Sequence, residues 1–235
     1  MKKIFAIAAS ALVLAAPAIS AQEEGPSAEA IIAYTAINSS TVGAIPLATN
    51  TLAGAGAMSW HLQYGRLSWG DDVSQSLYSG GINLSVGQGR LGISAGYLTY
   101  DCEDCDGHAT LGTRYGVELA GNKLGTSARW AMGVEGELGF AFPEDVSVMA
   151  VAAHLPIKIT TGKNVKVSPF VTPGFAYGRM SAEGESENGT RFMVGAGLGL
   201  AFANGIGANF GLRKVFIEEG ETQFGLGFTI RPGSK

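Results

Sequence analysis

The sequence predicts an all-β chain, closed into an up-and-down antiparallel barrel whose strands cross a lipid bilayer. Three observations predict it. From Met58 onward the chain alternates apolar residues with small or polar ones at period two. The alternating segments are joined by connections of two kinds, which follow one another in strict rotation. The non-apolar face of each segment is mostly Gly and Ala, with one or two charges per strand.

The N-terminus reads as a targeting segment and stands apart from the fold. Lys2 and Lys3 are followed by an apolar run from Ile4 to Ala16, then by small residues at Ala18, Ser20 and Ala21. That is a secretory signal peptide over 1–21, too short to span a membrane as a helix. Residues 22–54 carry "AEAIIAYTAIN" and read as a short helix, an extra strand or a plug. Residues 55–235 form the predicted barrel.

Composition narrows the function classes. Without Lys2 and Lys3 the chain has 14 basic against 20 acidic residues, a net charge of −6. A nucleic-acid partner would call for a basic face, so none is expected. Charged residues make up 15%, below the usual ~25%. Glycine, at 35 of 235, is about twice its usual ~7% share. No apolar run after the signal approaches the ~18 residues of a transmembrane helix.

The strands follow in order. "MSWHLQYG" sets Met58, Trp60, Leu62 and Tyr64 against Ser59, His61 and Gln63. "TRYGVEL" sets Tyr115, Val117 and Leu119 against Arg114, Gly116 and Glu118. "WAMGVEGELGFAF" sets Trp130, Met132, Val134, Leu138, Phe140 and Phe142 against Gly133, Glu135, Glu137 and Gly139. "VMAVAAHLPIKI" sets Met149, Val151, Leu155, Ile157 and Ile159 against His154 and Lys158. "RFMVGAGLGLAF" and "TQFGLGFTI" repeat the design near the end. The predicted strands are 56–68, 76–87, 90–100, 111–121, 128–142, 146–160, 164–180, 190–203, 205–217 and 221–231. Ten is the expected count, with eight and twelve as variants. Pro169 and Pro173 remove two ladder donors from one strand and predict an irregularity or bulge there.

The short connections are 87–89, 121–127, 160–164 and 203–205; the mostly longer, acidic ones are 69–76, 101–109, 142–146, 181–190 and 218–221. In a meander, strict rotation gathers the short turns at one end and the acidic loops at the other.

The composition of the second face decides which side is inside. A soluble barrel of the lipid-carrier type would cover that face with Lys, Glu, Asp and Ser. Small residues with sparse charges suit the lumen of a narrow membrane barrel instead. Bulky aromatics sit near strand ends: Trp60, Trp69, Tyr78, Tyr100, Tyr115, Trp130, Phe140, Phe142, Phe202, Phe216 and Phe228. They predict aromatic girdles at the two interfaces. A closed barrel also satisfies every backbone polar group within lipid.

With the signal, the alternating connections and these strands in view, the chain resembles the small porin-like outer-membrane β-barrel proteins of Gram-negative bacteria. "VSPFVTPGFAYGR" at 167–179 and "GLRKVFIEEGETQFGLGFTI" at 211–230 look like segments common in that family. The resemblance implies an outer-membrane location and the lipid bilayer as partner. It also implies a structural or narrow porin-like role, with small solutes as candidate cargo. It says nothing about oligomeric state.

On this reading the lumen collects His61, Gln63, Arg114, Glu118, Glu135, Glu137, His154, Lys158, Lys166, Asn209, Arg213, Gln223 and Arg231. Acids and bases are mixed, as buried charges must be. They read as a salt-bridged network that fills the barrel, or as a polar channel whose charges set selectivity. A membrane-embedded hydrolase is the remaining reading, but no nucleophile elbow or ordered Ser/His/Asp signal is visible. "GAGLG" at 195–199 lies inside a strand pattern and lacks the helix a dinucleotide loop needs. No enzyme activity and no cofactor are expected.

The two cysteines, Cys102 and Cys105, share the acidic connection "YDCEDCDGHA". A redox role needs the pair at a helix N-terminus, and no helix follows. Zinc could use both with His108, but half of the usual ligand set is missing. Calcium is hinted at by Asp104 and Asp106. Export to an oxidising compartment favours a disulfide that clips the loop, with metal binding as the alternative.

Overall fold

The computed structural model describes residues 58–69, 73–101, 107–142, 146–182, 185–216 and 222–231. The predicted signal peptide, the segment 22–54, and Cys102 and Cys105 lie outside the described residues.

Eleven strands are present: β1 (Met58–Trp69), β2 (Val73–Val86), β3 (Gly89–Tyr100), β4 (His108–Leu124), β5 (Ala128–Ala141), β6 (Val146–His154), β7 (Ile157–Thr161), β8 (Val165–Ala182), β9 (Glu185–Phe202), β10 (Ile206–Phe216) and β11 (Thr222–Ile230). Each pairs antiparallel with its neighbour in sequence, apart from β6 and β7. β11 returns to β1, with Trp60 opposite Ile230 and Ser68 opposite Thr222, so the sheet closes on itself. β6 and β7 both lie between β5 and β8. The eleven segments therefore make a barrel of ten strands, the expected number.

The division of the sixth strand was not expected, and prolines explain it. Pro156 separates β6 from β7, and Leu155 stands against Pro173. Leu155 N–H donates to the Pro173 carbonyl at 2.9 Å, but Pro173 has no N–H to return. The Pro156 carbonyl accepts from Gly133 N–H at 2.9 Å, and again nothing is donated back. The register is the same on both sides of the break, so no residue is inserted. The irregularity predicted for the strand holding Pro169 and Pro173 thus falls on its partner. β8 itself is unbroken and stays in register with β9 from Val165–Phe202 to Ala182–Glu185.

A second correction concerns 181–190, predicted as a long loop. Strands β8 and β9 run through most of it, leaving only 183–184 between them. Ser, Glu, Asn and Gly in that stretch read as a loop in the sequence. They do not prevent a ladder when the partner strand is already in place. The single bulge in β4 lies between Glu118 and Ala120, where Leu119 is the extra residue. It keeps Glu118 inward and Ala120 outward. The short turns lie at 87–88, 125–127, 162–164 and 203–205, all at one end. Gly87 (φ 59°) and Gly205 (φ 84°) supply the left-handed backbone that two of them require.

The faces are those of a membrane barrel. Leu62 is 65% exposed, whereas Gln63 beside it is 9% exposed. The same inversion recurs around the wall: Trp60, Tyr78, Tyr115, Leu212 and Phe228 point outward, while Arg213 and Thr229 point in. Ring clusters form on the outside, with Tyr64 and Tyr78 at 5.2 Å and Phe175 and Phe192 at 5.1 Å between centroids. A water-soluble barrel would hide such a surface. Tyr100 departs from the predicted girdle: it lies on the inward parity of β3 and packs against the buried pair Leu77 and Leu98.

Candidate functional site

The lumen is layered along the barrel axis. Its chemistry follows from which inward-facing residues each strand brings to each level.

The loop half holds a cluster of buried apolar side chains, with Gln75 and Gln223 buried beside them. Leu77 and Leu98 are cross-strand partners, as are Met193 and Val215, and all four are at most 4% exposed. Leu67 and Val148 are buried with them. The sequence predicts a lumen face of mostly Gly and Ala with a few charges, without large apolar side chains such as Leu77 and Leu98. The alternation does reveal these residues, because each has the parity of its strand's Gly and polar residues.

The middle is a charged network. Arg114 and Glu137 are directly opposite across the β4–β5 ladder. Glu137 Oε2 lies 3.0 Å from His154 Nε2, and both side chains are almost completely buried. Glu135 stands opposite His154 on β6, and Arg213 opposite Gln223 on β11. His61, Gln63 and Asn209 complete the layer, each at most 9% exposed. Neither ring nitrogen of His61 has a hydrogen-bond partner among the described residues. Ser59, Asn83, Thr110, Ser168 and Thr172 also line the buried wall. They went unnoticed in the sequence because short polar side chains carry little signal inside a Gly-rich face.

Glycine makes room for this network. A Cβ on Gly174 would come 2.6 Å from His154 Nδ1, one on Gly81 2.9 Å from His61 Cε1, and one on Gly199 2.9 Å from Asn209 Oδ1. A Cβ on Gly92 would meet both Arg114 and Asn83 at 3.0 Å. Large polar side chains lie flat over glycines of the neighbouring strand. The high glycine content and the buried charges are therefore one design, since a narrow lumen holds long side chains only where its wall is bare.

The turn end is open. A cavity of about 640 Å³ is lined there by Glu118, Lys158 and Lys166 among others. Arg129 grips Glu118 with both guanidinium nitrogens, Nη1 to Oε2 at 2.9 Å and Nη2 to Oε1. A Cβ on Gly121 would collide with both partners. Of the thirteen residues expected in the lumen, nine are buried in it. Glu118, Lys158 and Lys166 line its mouth instead, and Arg231 follows β11 at the same end, half-buried.

The buried wall carries hydroxyls at Ser59, Thr110, Ser168 and Thr172, so the question is whether any is paired with a histidine. His154 meets Glu137 at Nε2, while its Nδ1 faces the bare backbone of Gly174. Among the described residues no serine, threonine or cysteine side chain hydrogen-bonds to it, as a catalytic triad would require. No group of three metal-ligating side chains is found among the described residues.

A closed antiparallel barrel with an apolar exterior and a charged lumen is an outer-membrane-type β-barrel. Solved structures of that class are similar to this chain. The transport unit of the autotransporter AIDA-I from Escherichia coli is 9% identical over 85% of this chain and 96% of that one, with a TM-score of 0.47. The β domain of the Bordetella autotransporter Brka is 13% identical over 74% and 99%, with a TM-score of 0.46. The outer membrane enzyme PagL is 13% identical over 72% and 98%, with a TM-score of 0.38. At these values no function passes from them to this chain. No family model and no curated protein matches the sequence.

Proposed function

We propose that this protein is a sealed, structural outer-membrane barrel without enzymatic activity. The observation that carries the reading is the burial of Leu77, Leu98, Val148, Met193 and Val215 in the loop half of the lumen. Inward side chains of a water-filled channel would be wet. These are closed off from solvent and add to the charged layer below them. The network of Arg114, Glu135, Glu137, His154 and Arg213 then rigidifies the wall from within.

The narrow porin-like alternative has one feature in its favour, the open cavity at the turn end. It requires a path past the apolar layer. Conductance of the purified barrel in a planar lipid bilayer decides between them. The sealed barrel gives no single-channel steps, and regular steps would overturn it in favour of the porin-like role. Turnover of a lipid or peptide ester by the same preparation would overturn the non-enzymatic reading.

A further inference from the structure

The mouth at the turn end holds a concentration of positive charge that a sealed structural barrel does not call for. Its lining includes Arg90, Lys123, Arg129, Lys158, Lys163 and Lys166. Glu118 is the one carboxylate among the lining residues. The chain as a whole is acidic, yet six of its 16 basic residues converge on this cavity. They come from strands β3, β4, β5 and β8 and from the stretch around β7, so no single run of sequence explains the cluster. The opposite end is the reverse. Fourteen of the 20 acidic residues fall at 71–72, 101–106, 144–145, 183–187 and 218–221, in or beside the loop-end connections.

We propose that this vestibule binds a multiply charged anion carrying phosphate or carboxylate groups. Three features support the assignment. One carboxylate among six cations leaves a formal excess of five positive charges around the cavity. The low-dielectric barrel wall focuses that field toward the opening, and at physiological salt the Debye length of ~8 Å lets the cations act together. The site is also built to hold an oxyanion. Arg129 already grips the Glu118 carboxylate in a two-point fork, the geometry that guanidinium groups use for phosphate. Ser127 lies on the rim as a neutral donor. Finally, 640 Å³ is well beyond one inorganic phosphate and within the range of small-molecule sites, so the ligand can reach nucleotide size. Three of the cations, Lys123, Lys163 and Lys166, are exposed to solvent and open to an arriving ligand. The barrel polarity gives direction: an anion is drawn to the turn end and repelled from the loops.

The test is calorimetric titration of the detergent-solubilised barrel with inorganic tripolyphosphate in 0.15 M NaCl. Saturable 1:1 binding is expected, weakening at least tenfold in the variant Lys123→Ala, Lys163→Ala, Lys166→Ala. These three side chains are exposed at the rim, and the variant should keep the shift in gel mobility between boiled and unboiled samples that marks a folded barrel. No binding, or binding unchanged in that variant, overturns the proposal. β1 begins at this same end with Met58, and the sequence before it, 22–57, carries Glu23, Glu24 and Glu29 without a Lys or Arg. A chain lacking 22–50 is therefore titrated in parallel. Equal binding with and without that segment supports a free anion. Binding only in its absence overturns the proposal in favour of the chain's own carboxylates. The conductance result is independent of all these outcomes.

Discussion

His154 stands directly opposite Gly174 across the β6–β8 ladder, and one methyl group on that glycine would come 2.6 Å from the ring's Nδ1. The same Cβ would lie 2.5 Å from the Ala153 carbonyl oxygen, which is backbone and cannot swing away. Gly174→Ala should therefore cost about 1–3 kcal/mol, the usual penalty for overpacking. Gly136 faces the other way, with no atom within 4 Å of a Cβ built on it. Gly136→Ala should change stability by less than about 0.5 kcal/mol. Urea unfolding in lipid vesicles, followed by tryptophan fluorescence, measures both. Equal losses would mean that the lumen is looser than the contacts around His154 require.

Glu137 faces Arg114 across one ladder and His154 at 3.0 Å. Removing the carboxylate leaves cationic and polar groups buried without it. Glu137→Ala is expected to cost about 3–5 kcal/mol, the range for breaking a buried pair by deleting one partner. The double variant Glu137→Ala, His154→Ala should lose less than the sum of its singles, with a coupling of about 0.5–3 kcal/mol. The same unfolding assay reads it. Strict additivity would show that the two side chains do not act as a unit.

Most of the wall was legible in the sequence because a barrel strand has only two faces. "TQFGLGFTI" alone fixes which residues of β11 meet lipid, and the structure keeps that parity. The nine buried site residues follow from the same rule, since a large polar residue on a Gly-rich face has nowhere else to point. What was hidden depends on depth along the strand, which parity does not encode. Glu118, Lys158 and Lys166 share the parity of Arg114, His154 and Ser168 but sit nearer the turns, where the lumen opens. Arg90 has the inward parity of β3 and was passed over because its strand is otherwise apolar and small. The buried apolar side chains Leu67, Leu77 and Leu98 were hidden because they break the expectation that inward means polar. The division at Pro156 needed the partner strand, as Pro173 alone gives no clue to which neighbour loses the bond.

The proposed seal makes its own prediction. Leu77 and Leu98 are fully buried, with Tyr100 packed against them. Leu77→Ala should lower stability by about 2–5 kcal/mol, through lost burial and the cavity left behind. In an open, water-filled pore the same side chain would already be wet, and its truncation would cost little. Thermal unfolding, read from boiled and unboiled gel mobility after heating at graded temperatures, separates the two. A loss below about 0.5 kcal/mol would remove the support for a sealed lumen.

The orientation of the faces can be tested without reference to function. Leu212 points outward from the middle of β10 and is 45% exposed, while Arg213 beside it points in and is 2% exposed. If Leu212 meets hydrocarbon, Leu212→Arg places a charge near the bilayer midplane and should cost about 2–4 kcal/mol. Ile230 points outward too, but from the last position of β11 at the turn end. There the penalty for Ile230→Arg should fall to about 0–1 kcal/mol, because the guanidinium reaches the headgroups. Both changes put the same side chain on the same face, so their difference isolates depth. A barrel whose outer face met water would tolerate both, since an exposed arginine on a soluble surface is close to neutral. Folding titrations into phosphatidylcholine vesicles give the two numbers. Only a depth-dependent pair, costly at Leu212 and mild at Ile230, agrees with strands that cross a membrane.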